Sequence, residues 1–153
     1  MHIPPNCLDG PLLQRLLHSA LGPSCDLNGW RLLREDRDYA VLMATLSGSP
    51  GEVVVKLAGP RAALTSDFDR TAAIARLVRS RAYVATFDVL AVDVTYRAWP
   101  WRYLVTTRVP GTGWREVQRS RAVYAALGEA VGRLYCIHFP ACRYGTCMSR
   151  VGH

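Results

Sequence analysis

Tyr39-Ala40-Val41-Leu42-Met43-Ala44-Thr45-Leu46, the break Ser47-Gly48-Ser49-Pro50-Gly51, and Val53-Val54-Val55-Lys56-Leu57-Ala58 together decide how this chain folds. Both apolar runs are short, rich in β-branched and aliphatic residues, and bounded by turn formers, which is the composition of strands. The Ser/Gly/Pro break between them reads as a hairpin loop, so the two strands run antiparallel. Lys56 sits within the second run beside three valines, and it is the only lysine in the chain; the other 18 of the 19 cations are arginine.

On the N-terminal side, Trp30-Arg31-Leu32-Leu33-Arg34 reads as a further strand, joined to the hairpin through Glu35-Asp36-Arg37-Asp38. Ahead of it, apolar residues at 12, 13, 16, 17, 20 and 21 predict a short amphipathic helix over Pro11–Leu21, capped by Asp9 and stopped by Gly22-Pro23. His18 lies off that stripe and is read as a surface residue. On the C-terminal side, Ser66-Asp67-Phe68-Asp69 resembles a capping box with Asp in place of Glu. It opens a helix to about Arg81 with Thr71, Ile74, Ala75 and Val78 as its apolar face. Strands near Val89–Val94 and Tyr103–Thr107 follow, separated by a loop holding Trp99-Pro100-Trp101. Val109-Pro110-Gly111 ends the sheet, and Val123, Leu127, Ala130, Val131, Leu134 and Ile137 mark a long helix. The periodicity stops after His138.

With 153 residues, half of them hydrophobic, the chain is one domain with enough apolar surface for a core. No apolar run approaches the ~20 residues that cross a bilayer, and no secretion signal opens the chain, so a soluble, cytoplasmic protein without a membrane partner is expected. The net charge of +7 favours acidic partners, but the arginines are scattered along the sequence, which reads as a solvated surface more than as a nucleic-acid footprint. Five cysteines without paired C-x-x-C spacing point to reduced thiols and to no metal site.

The order helix, three strands, helix, two strands, helix defines an α+β class: a five-stranded antiparallel sheet with a cross-sheet helix, flanked by an N-terminal and a C-terminal helix. In that order, Val53-Val54-Val55-Lys56-Leu57, Phe68-Asp69-Arg70-Thr71-Ala72, Val89-Leu90-Ala91-Val92-Asp93, Tyr103 through Gly111, and Leu127 through Tyr135 resemble the N-terminal part of the aminoglycoside phosphotransferase family over roughly residues 29–140. The resemblance implies a protein-kinase-like N-lobe over 29–112. It is preceded by a helical segment at 1–28 and followed by a linker helix at 113–140 leading toward a C-lobe, and then by an irregular tail at 141–153. It also implies an ATP site in which Lys56 contacts the α/β-phosphates while Thr107 C=O and Val109 N–H hold the adenine edge.

The same resemblance sets limits on activity. The family's helix glutamate that pairs with the lysine matches Thr71 here, and Glu35-Asp36-Arg37-Asp38 offers the phosphates three acids and no glycine. The family's His-Gly-Asp catalytic loop and its later acidic metal-binding motif do not occur in this sequence. The expectation is therefore a truncated member of this ATP-dependent kinase family, with no catalytic or metal-binding residue of its own, inactive alone but retaining ATP affinity. Two alternatives stand beside it: a kinase-like interaction module that self-associates through the face a second lobe would cover, and a basic nucleic-acid-binding domain.

Overall fold

The structure is a computed structural model that describes residues 8–36, 38–62, 67–82, 84–111 and 120–137. Its elements in chain order are α1 (Gly10–Leu21), β1 (Leu27–Asp36), β2 (Tyr39–Leu46), β3 (Glu52–Ala58), α2 (Phe68–Arg81), β4 (Val89–Asp93), β5 (Arg102–Thr107) and α3 (Arg121–Tyr135). The strands form one antiparallel sheet in the order β1-β2-β3-β5-β4, with α2 entering the chain between β3 and β4. The class expected from the sequence, α+β around a five-stranded antiparallel sheet with three helices, is the one observed.

The β2–β3 hairpin closes where the break in the apolar pattern places it. Gly48 and Gly51 adopt φ of 83° and 73°, a region that costs a side chain but not glycine, and Leu46 N–H donates to Gly51 C=O at 2.6 Å. Strict alternation then sends Ala40, Leu42, Ala44, Leu46, Val53, Val55 and Leu57 to one face, where all are buried. α1 covers that face. Its Asp9 carboxylate accepts from Leu12 N–H at 2.8 Å, and Gly22 N–H closes the other end on His18 C=O. Leu13, Leu16 and Leu17 enter the core with Trp101, Tyr103 and Val105. Each such leucine contributes about 1.5–3 kcal/mol by burial, so α1 is part of the sheet's core. β1 itself begins at Leu27, earlier than the Trp30 start read from the sequence.

α2 covers the opposite face at its β5–β4 end. Phe68 and Ala72 pack on Ala58 and Leu104, with Val89 and Val92 beside them. Two expectations are corrected here. The N-cap is Asp67, whose side chain makes no cap bond and instead accepts from Arg102 Nη1 at 2.7 Å; Ser66 lies outside the described residues. The buried residues of α2 are Phe68, Ala72 and Ala75: of the expected apolar face Ala75 is buried, Thr71 and Val78 are half-buried and Ile74 is exposed, because the stripe that meets Ala58 and Leu104 runs through Phe68 and Ala72. Trp101, read as part of a loop, is completely buried, with Trp99 stacked on it at 6.5 Å between ring centroids.

Ser120 caps α3, its Oγ accepting from Val123 N–H, yet no side chain of α3 is buried. The tail at 141–153 lies outside the described residues. Among the described residues no helix is long and apolar enough to cross a membrane.

Candidate functional site

Because directly paired residues of an antiparallel sheet share a face, the register alone fixes what surrounds Lys56. One row across the sheet reads Arg34, Val41, Lys56, Leu104, Val92, and the next reads Arg31, Met43, Val54, Thr106, Val89. Leu104 lies under α2, so Lys56 projects on the α2 side of the sheet, opposite the core that α1 covers. Val41, Met43, Val54 and Lys56 are only half-buried, and they form the part of this face that α2 leaves uncovered.

The ammonium of Lys56 lies over the ring of Phe87, 5.9 Å from its centroid, within the ~6 Å range of cation–π attraction. Among the described residues no carboxylate forms an ion pair with it. The Thr71 hydroxyl on α2 turns back to donate to Asp67 C=O at 3.0 Å. Phe87 is held in place by its neighbour: Asp88 N–H donates to Thr107 Oγ1 at 2.8 Å, Asp88 C=O accepts from Thr107 N–H at 2.9 Å, and the Asp88 carboxylate pairs with Arg79 of α2.

Thr107 therefore has a definite place. It is the last residue of β5, opposite Val53, three residues along β3 from Lys56 or roughly 10 Å at strand spacing. Val109 lies two residues on, exposed, and Arg108 between them is tied to Glu52 by its backbone N–H at 3.3 Å and by Nη1 to Oε2 at 2.6 Å. Lys56 thus stands in the middle of the sheet, while Thr107 and Val109 lie at and beyond the end of β5, Thr107 paired with Val53 of the α1-covered face; Phe87, under the Lys56 ammonium, and Asp88, bonded to Thr107, span the distance between them.

The acidic turn differs from its reading as three acids facing phosphate. Asp38 is buried: its Oδ2 accepts from Arg61 N–H at 2.6 Å and its C=O from Gly59 N–H at 2.9 Å. A Cβ at Gly59 would collide with that carboxyl, so glycine there is a packing requirement. Only Glu35 and Asp36 remain exposed at the end of β1.

Two residues on the Lys56 face escaped a period-two reading. In a regular strand Arg31 and Arg34, three apart, point to opposite faces. Here a bulge falls between Leu32 and Arg34, so that Arg31 pairs Met43 and Arg34 pairs Val41, both on the Lys56 face. The proximity of Arg34 to Tyr39 is felt electrostatically: burial pushes the Tyr39 phenol above its ordinary value while the guanidinium opposes the rise. Two open cavities of about 350 and 480 Å³ lie elsewhere, between the end of α2 and α3, lined by residues such as Val84, Ala126 and Arg133 and by neither Lys56 nor Thr107. Comparison with protein-family models, with curated proteins and with solved structures finds no match.

Proposed function

We propose that this chain is a kinase-like small lobe, related to the aminoglycoside phosphotransferase family, that binds ATP on the uncovered part of the sheet and does not transfer phosphate by itself. The observation that carries the reading is the position of Lys56. The sole lysine stands on the middle strand, on the side of the helix inserted between β3 and β4, half-buried and without a carboxylate in ion pair among the described residues. A compact ammonium so placed is a point contact for a phosphate oxygen. The end of β5 at Thr107 and the exposed Val109 supply backbone groups for an adenine edge. The sequence contains no His-Gly-Asp loop to orient a nucleophile, which is why binding without transfer is proposed.

The test is thermal. ATP at ten times its Kd adds about 1.4 kcal/mol through linkage, a Tm rise of roughly 3–6 °C for a domain of this size. The rise is expected in the parent and absent in Lys56→Ala; no rise at millimolar ATP rejects the reading. A second reading has its own observation. Leu127, Val131 and Leu134 of α3 are exposed at 49, 41 and 39 %, a contiguous apolar stripe that monomers rarely leave open. Self-association through α3 predicts a concentration-dependent mass in light scattering, reduced to the monomer by Leu127→Glu.

A further inference from the structure

We infer that Arg34, carried onto the Lys56 face by the bulge at Leu33, is the second cation of a polyphosphate subsite. The inference rests on the ATP-binding reading above and assigns the half of the site that the family resemblance leaves without a ligand. Its basis is geometric. Arg34 and Lys56 occupy the same cross-strand row, separated only by Val41, so their Cα atoms stand about 10 Å apart at the usual interstrand spacing. Arg34 is exposed and Lys56 half-buried with its ammonium over the Phe87 ring, and long cationic side chains at such positions keep their charged heads at the surface. Arg31 adds a third cation one row away, opposite Met43.

The carboxylates near this face are engaged or stand at its ends. Glu52 is bound to Arg108 and Asp67 to Arg102; Asp36, in the row of Tyr39 at the end of β1, is one row from Arg34 on the same face and borders the cations on the side opposite Arg31. The middle of the face is therefore a positive strip over Val41, Met43 and Val54, matched to a chain of phosphates rather than to a single one. A guanidinium binds a phosphate through two parallel N–H donors, whereas the Lys56 ammonium makes a point contact, so the pair grips two successive phosphates in different ways. The acidic β1–β2 turn does not have to cradle anything in this arrangement. The strand before it supplies the contact.

Isothermal titration of the full chain with ATP and with inorganic tripolyphosphate, free of metal, tests the assignment. Arg34→Gln is expected to weaken both ligands by about tenfold to a hundredfold, the scale of a lost charge-assisted hydrogen bond, as Lys56→Ala does. Exchanging neighbours, Arg34→Glu with Glu35→Arg, leaves net charge and composition unchanged but moves the guanidinium to the position opposite Ala40, on the other face, and is expected to abolish measurable binding. Arg15→Gln on α1 removes one charge elsewhere and is expected to leave both affinities within about twofold, since exposed single charges act weakly at a distance. Tm values of the exposed-site variants should stay near the parent's, excluding misfolding.

If ATP binding depends on Lys56 but not on Arg34, the second cation is rejected and the nucleotide reading stands. If tripolyphosphate binds in an Arg34-dependent way and ATP binds no better, the subsite is upheld and the adenine contacts fall. Binding of neither ligand at millimolar concentration rejects the subsite. A single-stranded oligonucleotide held more tightly than tripolyphosphate, with a steep salt dependence through the same residues, overturns it in favour of nucleic-acid binding.

Discussion

α1 and α3 are the same kind of object in sequence and opposite kinds in the fold. Each is an amphipathic helix with an oxygen-bearing N-cap, Asp9 for one and Ser120 for the other. α1 places Leu13, Leu16 and Leu17 in the core, completely buried, while α3 buries none of its side chains and leaves Leu127 and Val131 open. The pattern of apolar residues determines that a helix forms and which stripe wants cover. It does not determine whether the cover comes from the same chain, because that depends on where the sheet ends.

The largest expected effect that would break this contrast is in stability. Leu16→Ala should cost about 2–5 kcal/mol in urea unfolding, as a buried leucine truncated to a cavity does, whereas Leu127→Ala should cost less than about 0.5 kcal/mol. Equal costs would mean that α3 is covered in solution. Next comes the capping pair. Asp9→Ala should lower the stability of the whole domain by about 1 kcal/mol, because α1 cannot loosen without the core, while Ser120→Ala should reduce helical circular dichroism with the main urea transition unmoved. A smaller effect sharpens the site side of the molecule. Phe87→Leu should weaken ATP binding by roughly threefold, the worth of about 0.6 kcal/mol of cation–π attraction, and Phe87→Tyr should restore it.

The smallest effect concerns pH and the core that α1 covers. Burial, with the Asp93 charge adding to it, pushes the Tyr103 phenol above its ordinary value of 10.0. The folded state thus favours the neutral phenol. This contribution is fully present below pH 10 and is lost as the pH rises through the higher folded-state value. Urea midpoints should therefore decline above pH 10, and Tyr103→Phe should flatten that decline. An unchanged slope would show that Tyr103 ionises as readily folded as unfolded.

Much of the architecture was legible because it follows from local chemistry. The β2–β3 hairpin, the Asp9 cap, the glycines of the Ser47–Gly51 break and the strand positions of Lys56 and Thr107 all rest on residue type and spacing. What was not legible depends on partners distant in sequence. Asp67 gives up its cap bond for Arg102, thirty-five residues away. The helix–sheet contact with Ala58 and Leu104 is made by Phe68 and Ala72 while Ile74 is exposed, and hydrophobicity alone ranks Ala72 and Ile74 the other way. Trp101 sits in a stretch with every sign of a loop and still fills the core with Leu13 and Leu16. Of the proposed site, Lys56 stood out by composition, but Arg34 could not, since a single unpaired residue at Leu33 reverses the face on which it lies.

The solitary ε-amine has a practical corollary. An acylating reagent or a protease that cleaves after lysine can meet this chain at one internal position only, and that position is half-sheltered in the middle of a sheet. The rate of cutting after Lys56 is then a built-in gauge of how often the central strands open, while acylation of the amine reports how far its head is sheltered in the folded state, both readable without any introduced label.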